Sequence, residues 1–284
     1  MPDRAAGSLR YFAWLYSPPE QRPIIAALCA IEREVQGSLD RQLDHHVAHI
    51  RLQWWKEEAE RVTAGRPLHP LTRFLLESTG GRAQSIGRGL DGLVGTVTWD
   101  LASATFESRR EVEAYCTRWA SAMIEPLVEY ALPEASGGER ASQIGRSLGA
   151  ALREIELLAN LATEAHAGRL RLPLDEIDRA GVEATALASP PWPPALAELL
   201  RHRMAELRGS MASVLAQLRG DEQPCLRALL VWTSLAWRVS LRAGDTPSAA
   251  GAKRRTTVVA EALAEGWAAW RAARRALSGT FTLS

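Results

Sequence analysis

Residues 49–70 read HIRLQWWKEEAERVTAGRPLHP, and this stretch carries the clearest structural signal in the chain. Its apolar side chains recur at three- and four-residue intervals, which is the spacing of one face of an α-helix. A glycine and a proline follow at Gly65 and Pro67, and both residue types end helices. The pattern predicts a helix over residues 45–63 that stops at the Gly-Arg-Pro turn.

The same helical period continues on both sides of this stretch. The sequences SPPE at 17–20 and SRRE at 108–111 fit the capping box, in which a serine and a glutamate satisfy N–H groups at a helix start. Strand patterns are nearly absent, so the sequence predicts an all-α protein. Further helices are expected over residues 17–40, 108–130 and 140–167, over two segments of about 25 and 20 residues ending near Arg242, and over 253–277.

Loop signals separate these helices and suggest the domain organisation. Gly168 is placed to end the 140–167 helix, and a proline-rich run follows at 188–194. Further loops are expected around Pro133 and Gly137, and a flexible connector is expected over 244–252. We therefore expect one helical domain over residues 1–250. A C-terminal amphipathic helix and tail over 253–284 should pack on it or extend from it.

Composition excludes several classes of function. The chain has 284 residues, a formal net charge of +1 and only three cysteines, so neither nucleic-acid binding nor a disulfide framework is indicated. The N-terminal residues lack the apolar core of a signal peptide. The longest apolar run, around 228–237, is about half of the roughly 20 residues that span a membrane. We expect a cytoplasmic protein, at most peripheral to the inner face of a membrane.

Two segments repeat an unusual acid–amide–acid pattern at four-residue steps. We call Glu32, Gln36 and Asp40 the first polar row, and Glu156, Asn160 and Glu164 the second polar row. On a continuous helix, residues four apart share one face, so each row would form a polar line on an apolar helix. Opposed helices that carry carboxylates can hold Mg²⁺, which in turn can hold a diphosphate. The central amide of each row carries no charge, and without further information such rows are most often solvated helix faces.

The 49–70 segment resembles the second conserved helix of the squalene/phytoene synthase family, with its tryptophan–arginine–acid core, glycine turn and His-Pro pair. Other segments agree in order and spacing. Residues 11–22 resemble the family's aromatic start, and 27–40 its first aspartate-rich helix. Residues 90–120, with Asp100 and Tyr115, resemble its central helix pair, and 148–173 its second aspartate-rich helix with the Gly-Arg-x-x-Leu-Pro ending. The match covers roughly residues 10–185.

This resemblance implies a single-domain isoprenoid synthase fold around a central apolar cavity. Active members join two prenyl diphosphates head to head, using Mg²⁺ held by two aspartate-rich helices to stabilise the diphosphate leaving group. Carried over to this chain, the cavity and diphosphate-site positions are Arg33, Gln36, Asp40, Asp100, Arg153, Glu156, Asn160, Glu164 and Arg169. Of these, Asp40 and Glu164 are the candidate metal ligands.

The chain departs from the family pattern at its aspartates. The leading aspartates of the first motif fall on Gln36 and Gly37, and that of the second falls on Asn160. A glutamine and an asparagine that precede the second motif in active members fall on Arg153 and Glu156. On a straight helix the acids of the second row would be about 12 Å apart. Because Mg–O bonds are about 2.1 Å long, these two acids could not share one ion.

The sequence therefore favours a catalytically degenerate member of the family that binds a ligand or acts in assembly and requires no cofactor. The family contains a similar mitochondrial branch that lacks the aspartates and supports assembly of respiratory complex I. The alternative is an Mg²⁺-dependent synthase acting on farnesyl or geranylgeranyl diphosphate, in which Asp100 or Glu156 joins Asp40 and Glu164 as ligands. Arg33 and Arg169 would then neutralise phosphate. An isoprenoid or lipid is the expected ligand in either case.

Three other features have competing interpretations. His45 and His49 lie one helical turn apart, but zinc needs further ligands, so a polar helix surface is favoured. Trp54 and Trp55, with Arg51 and Lys56, could line a cavity or stack a cation, but packing of one ring in the core with its neighbour at the rim is favoured. The last helix carries tryptophans on one side and arginines near its end. Such a helix either packs across the domain or binds a membrane or protein partner.

Overall fold

The computed structural model describes residues 8–40, 42–132, 138–242 and 255–283, and for 255–262 the backbone alone. Helices make up the regular structure of this part of the chain, and no strand occurs in it. The prediction of an all-α protein is confirmed. The α-helices are α1 (Leu9–Leu15), α2 (Arg22–Gln36), α3 (His45–Thr63), α4 (Pro70–Ser78), α5 (Ala83–Leu101), α6 (Arg109–Met123), α7 (Glu125–Ala131), α8 (Gly138–Ala159), α9 (Leu161–His166), α10 (Leu174–Arg179), α11 (Pro194–Leu215), α12 (Arg227–Leu241) and α13 (Arg255–Leu277).

The described residues belong to two compact units. Unit 1 comprises residues 17–104 and 115–150, and unit 2 comprises 8–16, 105–114 and the chain from 151 onward. In unit 1, α3 packs along α5, and α2 packs against α4 and α5. In unit 2, α12 packs against α1, α11 and α13. The predicted connector 244–252 and the loop residues 133–137 lie outside the described residues, so the domain boundary near residue 250 stays a prediction.

The helix at the centre of the 49–70 stretch begins and ends where the sequence predicts. The Asp44 carboxylate accepts hydrogen bonds from the N–H groups of His46 and Val47, which caps α3. Trp55 is buried and Trp54 is partly exposed, with the two rings in edge contact at 5.1 Å. The preferred interpretation of this pair as a core residue and a rim residue is confirmed.

A buried carboxylate holds the turn that follows α3 in place. Glu58, which is fully buried, accepts hydrogen bonds from the backbone N–H groups of Leu68 and His69 at 2.9 Å and from the Thr72 hydroxyl at 2.5 Å. Arg61 donates to the other oxygen of the same carboxylate at 2.8 Å. Burial alone would raise the pKa of Glu58, but these donors outweigh it and lower the pKa. Glu58 thus joins the end of α3 to the start of α4.

The helix expected over 17–40 is shorter than predicted. A 3₁₀ turn over Pro19–Gln21 precedes α2, which ends at Gln36, and a second 3₁₀ turn covers Gly37–Leu39. The Arg51 guanidinium donates to the carbonyl groups of Glu34 and Gly37, which satisfies acceptors at the helix end. Asp40 is therefore extended (φ −62°, ψ 124°) and does not continue the face of α2.

Two further predictions of continuous helices are wrong, and each break has a local cause. The helix over 108–130 is divided between α6 and α7, because Pro126 has no N–H and its ring crowds the preceding turn. The helix over 140–167 is divided between α8 and α9 at Asn160 (φ −103°, ψ 16°). Gly168 then ends α9 in the left-handed conformation (φ +81°), as predicted.

The later helices follow the predicted order. Both α11, with 22 residues, and α12, with 15, are shorter than expected, because the turns around Gly220 and Pro224 separate them. The last helix spans Arg255–Leu277. Within the described part of the chain, none of these helices is long and apolar enough to cross a bilayer.

Candidate functional site

The first polar row is a buried hydrogen-bond network in unit 1 rather than an open line of ligands. Glu32 is 2% exposed, and its Oε1 accepts a hydrogen bond from the Trp119 indole N–H at 2.7 Å. The Gln36 amide donates to the same oxygen at 3.2 Å. Gln36 therefore supports a buried acid on its own helix.

Asp40 lies apart from this network. Its side chain is exposed, and its Oδ1 accepts a hydrogen bond from the backbone N–H of Gln42 at 3.0 Å, which forms a local turn. Arg33 is also exposed, on α2. Because the helix ends before Asp40, the row Glu32–Gln36–Asp40 does not share one helical face, and that prediction is wrong.

Asp100 is buried near the end of α5 and has a defined partner. The Tyr115 hydroxyl donates to its Oδ2 at 2.9 Å. A buried carboxylate requires hydrogen bonds of this kind, since it would otherwise lose its hydration without compensation. Asp100 therefore links α5 to α6 within unit 1.

The second polar row lies in unit 2, and its first acid is paired with two arginines. Arg10 of α1 donates through Nε and Nη2 to both oxygens of Glu156, at 3.1 and 2.9 Å. Arg153 donates to Oε2 of the same carboxylate at 3.2 Å. Burial would raise the pKa of Glu156, but the two guanidinium groups outweigh it and lower the pKa. Glu156 is held as a carboxylate between two cations.

The last acid of the row is paired in the same way. Arg169 donates to both oxygens of Glu164, at 2.9 and 3.2 Å, and the buried Arg171 donates to Oε2 at 2.8 Å. Burial acts to raise the pKa of Glu164, whereas the hydrogen bonds and charges of Arg169 and Arg171 lower it to about 2. Both oxygens of the Glu164 carboxylate therefore accept hydrogen bonds from arginines.

Asn160 lies between these acids at the break from α8 to α9. Its side-chain N–H donates to the Glu156 carbonyl oxygen at 2.9 Å, in competition with the regular helical hydrogen bond to that oxygen. The amide side chain is exposed. The expectation that all three residues lie on one straight helix is wrong, because the chain turns at the asparagine.

The donor set does not fit a metal ion. In the residues that the structure describes, no group of three or more His, Cys, Asp or Glu side chains is arranged to hold one. Of the two candidate ligands, Asp40 accepts a backbone hydrogen bond in an exposed turn, and Glu164 is occupied by two guanidinium groups. His45 and His49 are both exposed and lie within hydrogen-bond distance of each other, at 3.0 Å between their Nε2 atoms.

Several residues at these sites were missed by sequence reasoning. Arg10 lies 146 residues from its partner Glu156, and no local pattern connects the two. Arg171 lies within the Gly-Arg-x-x-Leu-Pro ending, at a position that this pattern leaves variable. A buried pair was also missed: Arg203 of α11 donates to Glu154 at 2.5 Å. Burial raises the pKa of Glu154 against the effect of Arg203.

A cleft of about 590 Å³ elsewhere in unit 1 contains none of the predicted site residues. Its wall includes Glu129, which accepts hydrogen bonds from the hydroxyl groups of Ser85 and Ser142 at 3.0 and 2.5 Å. The acid in this cleft therefore already has partners from α5 and α8. The central apolar cavity that the family resemblance implies stays a prediction.

Known proteins with similar sequences are named presqualene diphosphate synthase and phytoene synthase. The chain is 28% identical over 187 residues to the presqualene diphosphate synthase of Rhodopseudomonas palustris and 27% identical over 209 residues to that of Sinorhizobium fredii. It is 26% identical over 175 residues to phytoene synthase 3 of Zea mays. These alignments cover 64%, 70% and 61% of this chain, and 63%, 72% and 41% of the respective relatives.

Solved structures with the same fold support this relationship. A dehydrosqualene synthase crystallised with a ligand superimposes with a TM-score of 0.62 at 16% identity, covering 92% of this chain and 91% of that one. The squalene synthase HpnC from Alicyclobacillus acidocaldarius superimposes with a TM-score of 0.63 at 14% identity, covering 81% and 85%. The sequence profile described as squalene/phytoene synthase matches residues 4–259. This chain therefore belongs to the squalene/phytoene synthase family, with its helical isoprenoid synthase fold.

Proposed function

We propose that this chain acts by binding an isoprenoid or other lipid ligand, as a ligand-binding or assembly-type protein, and does not condense prenyl diphosphates with Mg²⁺. The observation that carries the proposal is the pairing of both acids of the second polar row with arginines. Glu156 is held by Arg10 and Arg153, and Glu164 by Arg169 and Arg171. The proposal includes a cytoplasmic location, at or near the inner face of a membrane.

This pairing opposes the binding of a metal ion at the same carboxylates. Mg²⁺ requires near-octahedral oxygen ligands at about 2.1 Å, and charged oxygens are its preferred protein donors. To reach Glu164, the ion would have to displace two guanidinium groups and then remain close to their positive charges. The leading positions of the motifs, Gln36, Gly37 and Asn160, supply no replacement charge.

The same arrangement favours direct binding of an anionic group. Four arginines surround the two glutamates of the second row, so the local charge excess is positive. Arginine forms bidentate hydrogen bonds with phosphate and carries its charge at all physiological pH values. A phosphorylated isoprenoid could therefore be bound by its head group without a metal ion, which is the role we propose for this region.

An Mg²⁺-dependent head-to-head prenyl diphosphate synthase is the alternative. It is favoured by the relatives named presqualene diphosphate synthase and phytoene synthase. Under this alternative, Asp40 and Glu164 would be the metal ligands, with Asp100 or Glu156 as further candidates. Arg33 and Arg169 would face the diphosphates.

Pyrophosphate release distinguishes the two functions. Purified protein is incubated with farnesyl or geranylgeranyl diphosphate and Mg²⁺, and the released pyrophosphate is measured. We expect no release above that of a protein-free control. If release occurs and Asp40→Asn abolishes it, the chain is an enzyme and our proposal is wrong.

Binding is measured separately, with the same two prenyl diphosphates in buffer that contains either Mg²⁺ or a chelator. We expect the unfolding temperature to rise equally in both buffers, because arginines rather than a metal bind the head group. The Arg169→Gln variant should bind at least about tenfold more weakly, since it loses a charge-assisted bidentate contact. Arg179→Gln is the matched control, because Arg179 is an exposed arginine whose carboxylate partner, Asp175, lies outside the site.

A further inference from the structure

Over residues 263–277, where its side chains are described, helix α13 buries small residues and exposes large apolar ones. Leu263, Trp267 and Leu277 are 70%, 57% and 55% exposed. Within this described part of the helix the buried positions are alanines: Ala268, Ala269, Ala272, Ala273 and Ala276. Burial of large apolar side chains stabilises a protein more than burial of alanine, so an outward-facing set of this kind is a recognised sign of an interaction surface.

The exposed Leu263, Trp267 and Leu277 lie on one line along the helix with the half-buried Trp270 and with Arg274, and we call this line the apolar stripe. Successive residues of an α-helix are turned by about 100°, so positions 263, 267, 270, 274 and 277 fall within an arc of about 80°. The Trp267 and Trp270 rings are stacked, with 4.7 Å between their centroids. The Arg274 guanidinium carbon lies 5.2 Å from the centroid of the Trp270 ring. The stripe therefore presents indole rings and a cation at the same surface.

A cluster of arginines borders this stripe. Arg271 and Arg275 of α13, together with Arg238 of α12, line a narrow cleft of about 20 Å³ that also includes Ser234 and Thr282. No acid is among the residues described in its wall. The Nε atom of Arg238 is buried and has no hydrogen-bond partner in the described part of the chain. Buried donors are normally satisfied by protein or by water, so this N–H is available to an acceptor that enters the cleft.

The size of the cleft identifies what can enter it. One water-sized group needs about 10–15 Å³, so the cleft admits a single oxygen and not a whole ligand. A phosphate with one oxygen inserted and the rest of its molecule outside fits this space. The neighbouring apolar stripe would then lie against the remainder of that molecule.

We propose that this face of α13 binds the surface of a membrane that contains anionic phospholipids. The apolar stripe enters the boundary between head groups and acyl chains, and Arg238, Arg271 and Arg275 bind lipid phosphates at its border. Amphipathic helices with tryptophan and leucine on one face and arginine beside it bind membranes in this way. A second copy of this chain is a poorer occupant, because a two-fold interface would bring the same arginines together.

Vesicle flotation with the full chain tests this proposal. The protein is mixed with vesicles of phosphatidylcholine alone or of phosphatidylcholine with phosphatidylglycerol, and the floated fraction is measured at increasing salt. We expect binding to the anionic vesicles only, weakening as salt screens the arginines. Absence of binding to the anionic vesicles at low salt would overturn the proposal.

Two double variants separate the contributions of the surface. Leu263→Ser with Trp267→Ser should reduce vesicle affinity about tenfold or more, as should Arg271→Gln with Arg275→Gln. The matched controls are Ile50→Ser, at a 55% exposed apolar residue of α3, and Arg110→Gln, at an exposed arginine of α6. Circular dichroism verifies that each variant is folded. Equal loss of binding in the controls would contradict the assignment to α13.

Two other outcomes would assign the surface to a different occupant. If inorganic phosphate alone stabilises the protein through Arg271 and Arg275 while vesicles do not bind, the cleft is a site for a free anion. If light scattering shows a dimer that Trp267→Ser dissociates, the stripe is an interface between copies of this chain. Either result would overturn the membrane proposal.

Discussion

At the scale of single residues, the carboxylates of this chain are defined by their partners. Glu32 accepts a hydrogen bond from the Trp119 indole, and Asp100 accepts one from the Tyr115 hydroxyl. Glu164 accepts hydrogen bonds from two arginines. These contacts use the oxygens that metal coordination would need. The environment of each acid therefore follows from the donors that the fold places beside it.

The stabilisation that Glu164 contributes to the fold should depend on pH in a defined direction. Its folded-state pKa is lowered from 4.5 to about 2, so its stabilisation is complete above about pH 4.5 and is lost as the pH falls toward 2. We expect Glu164→Gln to lower the free energy of unfolding by about 2 kcal/mol at pH 7, less than the full shift implies because water screens part of the pair. At pH 3 the loss of free energy of unfolding caused by Glu164→Gln should be about half of its value at pH 7.

Chemical denaturation of both proteins between pH 7 and pH 3 measures this effect. Asp175→Asn is the control, since Asp175 forms an exposed pair with Arg179 and should contribute little at any pH. A Glu164→Gln deficit that is the same at both pH values would contradict the assigned ion pairs.

At the scale of helices, the turn that links α3 to α4 depends on one buried acid. Glu58→Ala should lower the free energy of unfolding by about 3 kcal/mol or more, because the N–H groups of Leu68 and His69 and the Thr72 hydroxyl all lose their acceptor. Glu60→Ala, at an exposed position of the same helix, should change it by less than about 0.5 kcal/mol. Urea unfolding measures the free energy of unfolding of both variants. Equal values would show that Glu58 does not stabilise the turn between α3 and α4.

Close packing of α5 against α6 requires a glycine on α5. A Cβ at Gly89 would lie 2.5 Å from the Ser121 carbonyl oxygen, whereas a Cβ at Gly95 of the same helix would contact nothing within 4 Å. Gly89→Ala should therefore destabilise the protein by about 2 kcal/mol. Gly95→Ala should stabilise it by up to about 1 kcal/mol, because alanine favours helix. The unfolding temperatures of the two variants are compared with that of the unchanged protein. Similar changes in unfolding temperature for both variants would contradict this account of the packing.

At the scale of the whole molecule, the proposed function predicts that Mg²⁺ does not stabilise the fold. A ligand at 100 times its dissociation constant would add about 2.7 kcal/mol to the free energy of unfolding. We expect the unfolding temperature to be the same with millimolar Mg²⁺ and with a chelator. A rise with Mg²⁺ that Glu164→Gln removes would show that the second polar row holds the ion after all.

The predicted helix order and fold class are confirmed because helical periodicity and capping are local properties. The helix α3 begins after Asp44 and ends before Gly65, as its residues alone indicate. Such patterns also explain why proteins with 14–16% identity share this fold. Three predictions of continuous helices failed at Gln36, Met123 and Ala159, where a tertiary contact, a proline and an asparagine side chain interrupt the period.

By itself, the sequence determined the all-α class, the position of α3 and the family, because each depends on residue type and short-range spacing. The tertiary structure alone decided what the remaining acids do. Arg10 reaches Glu156 across 146 positions, and Trp119 reaches Glu32 across 87. The charge state and availability of a carboxylate depend on such neighbours, and no local pattern specifies them. Only folding brings Arg10 to Glu156 and Trp119 to Glu32.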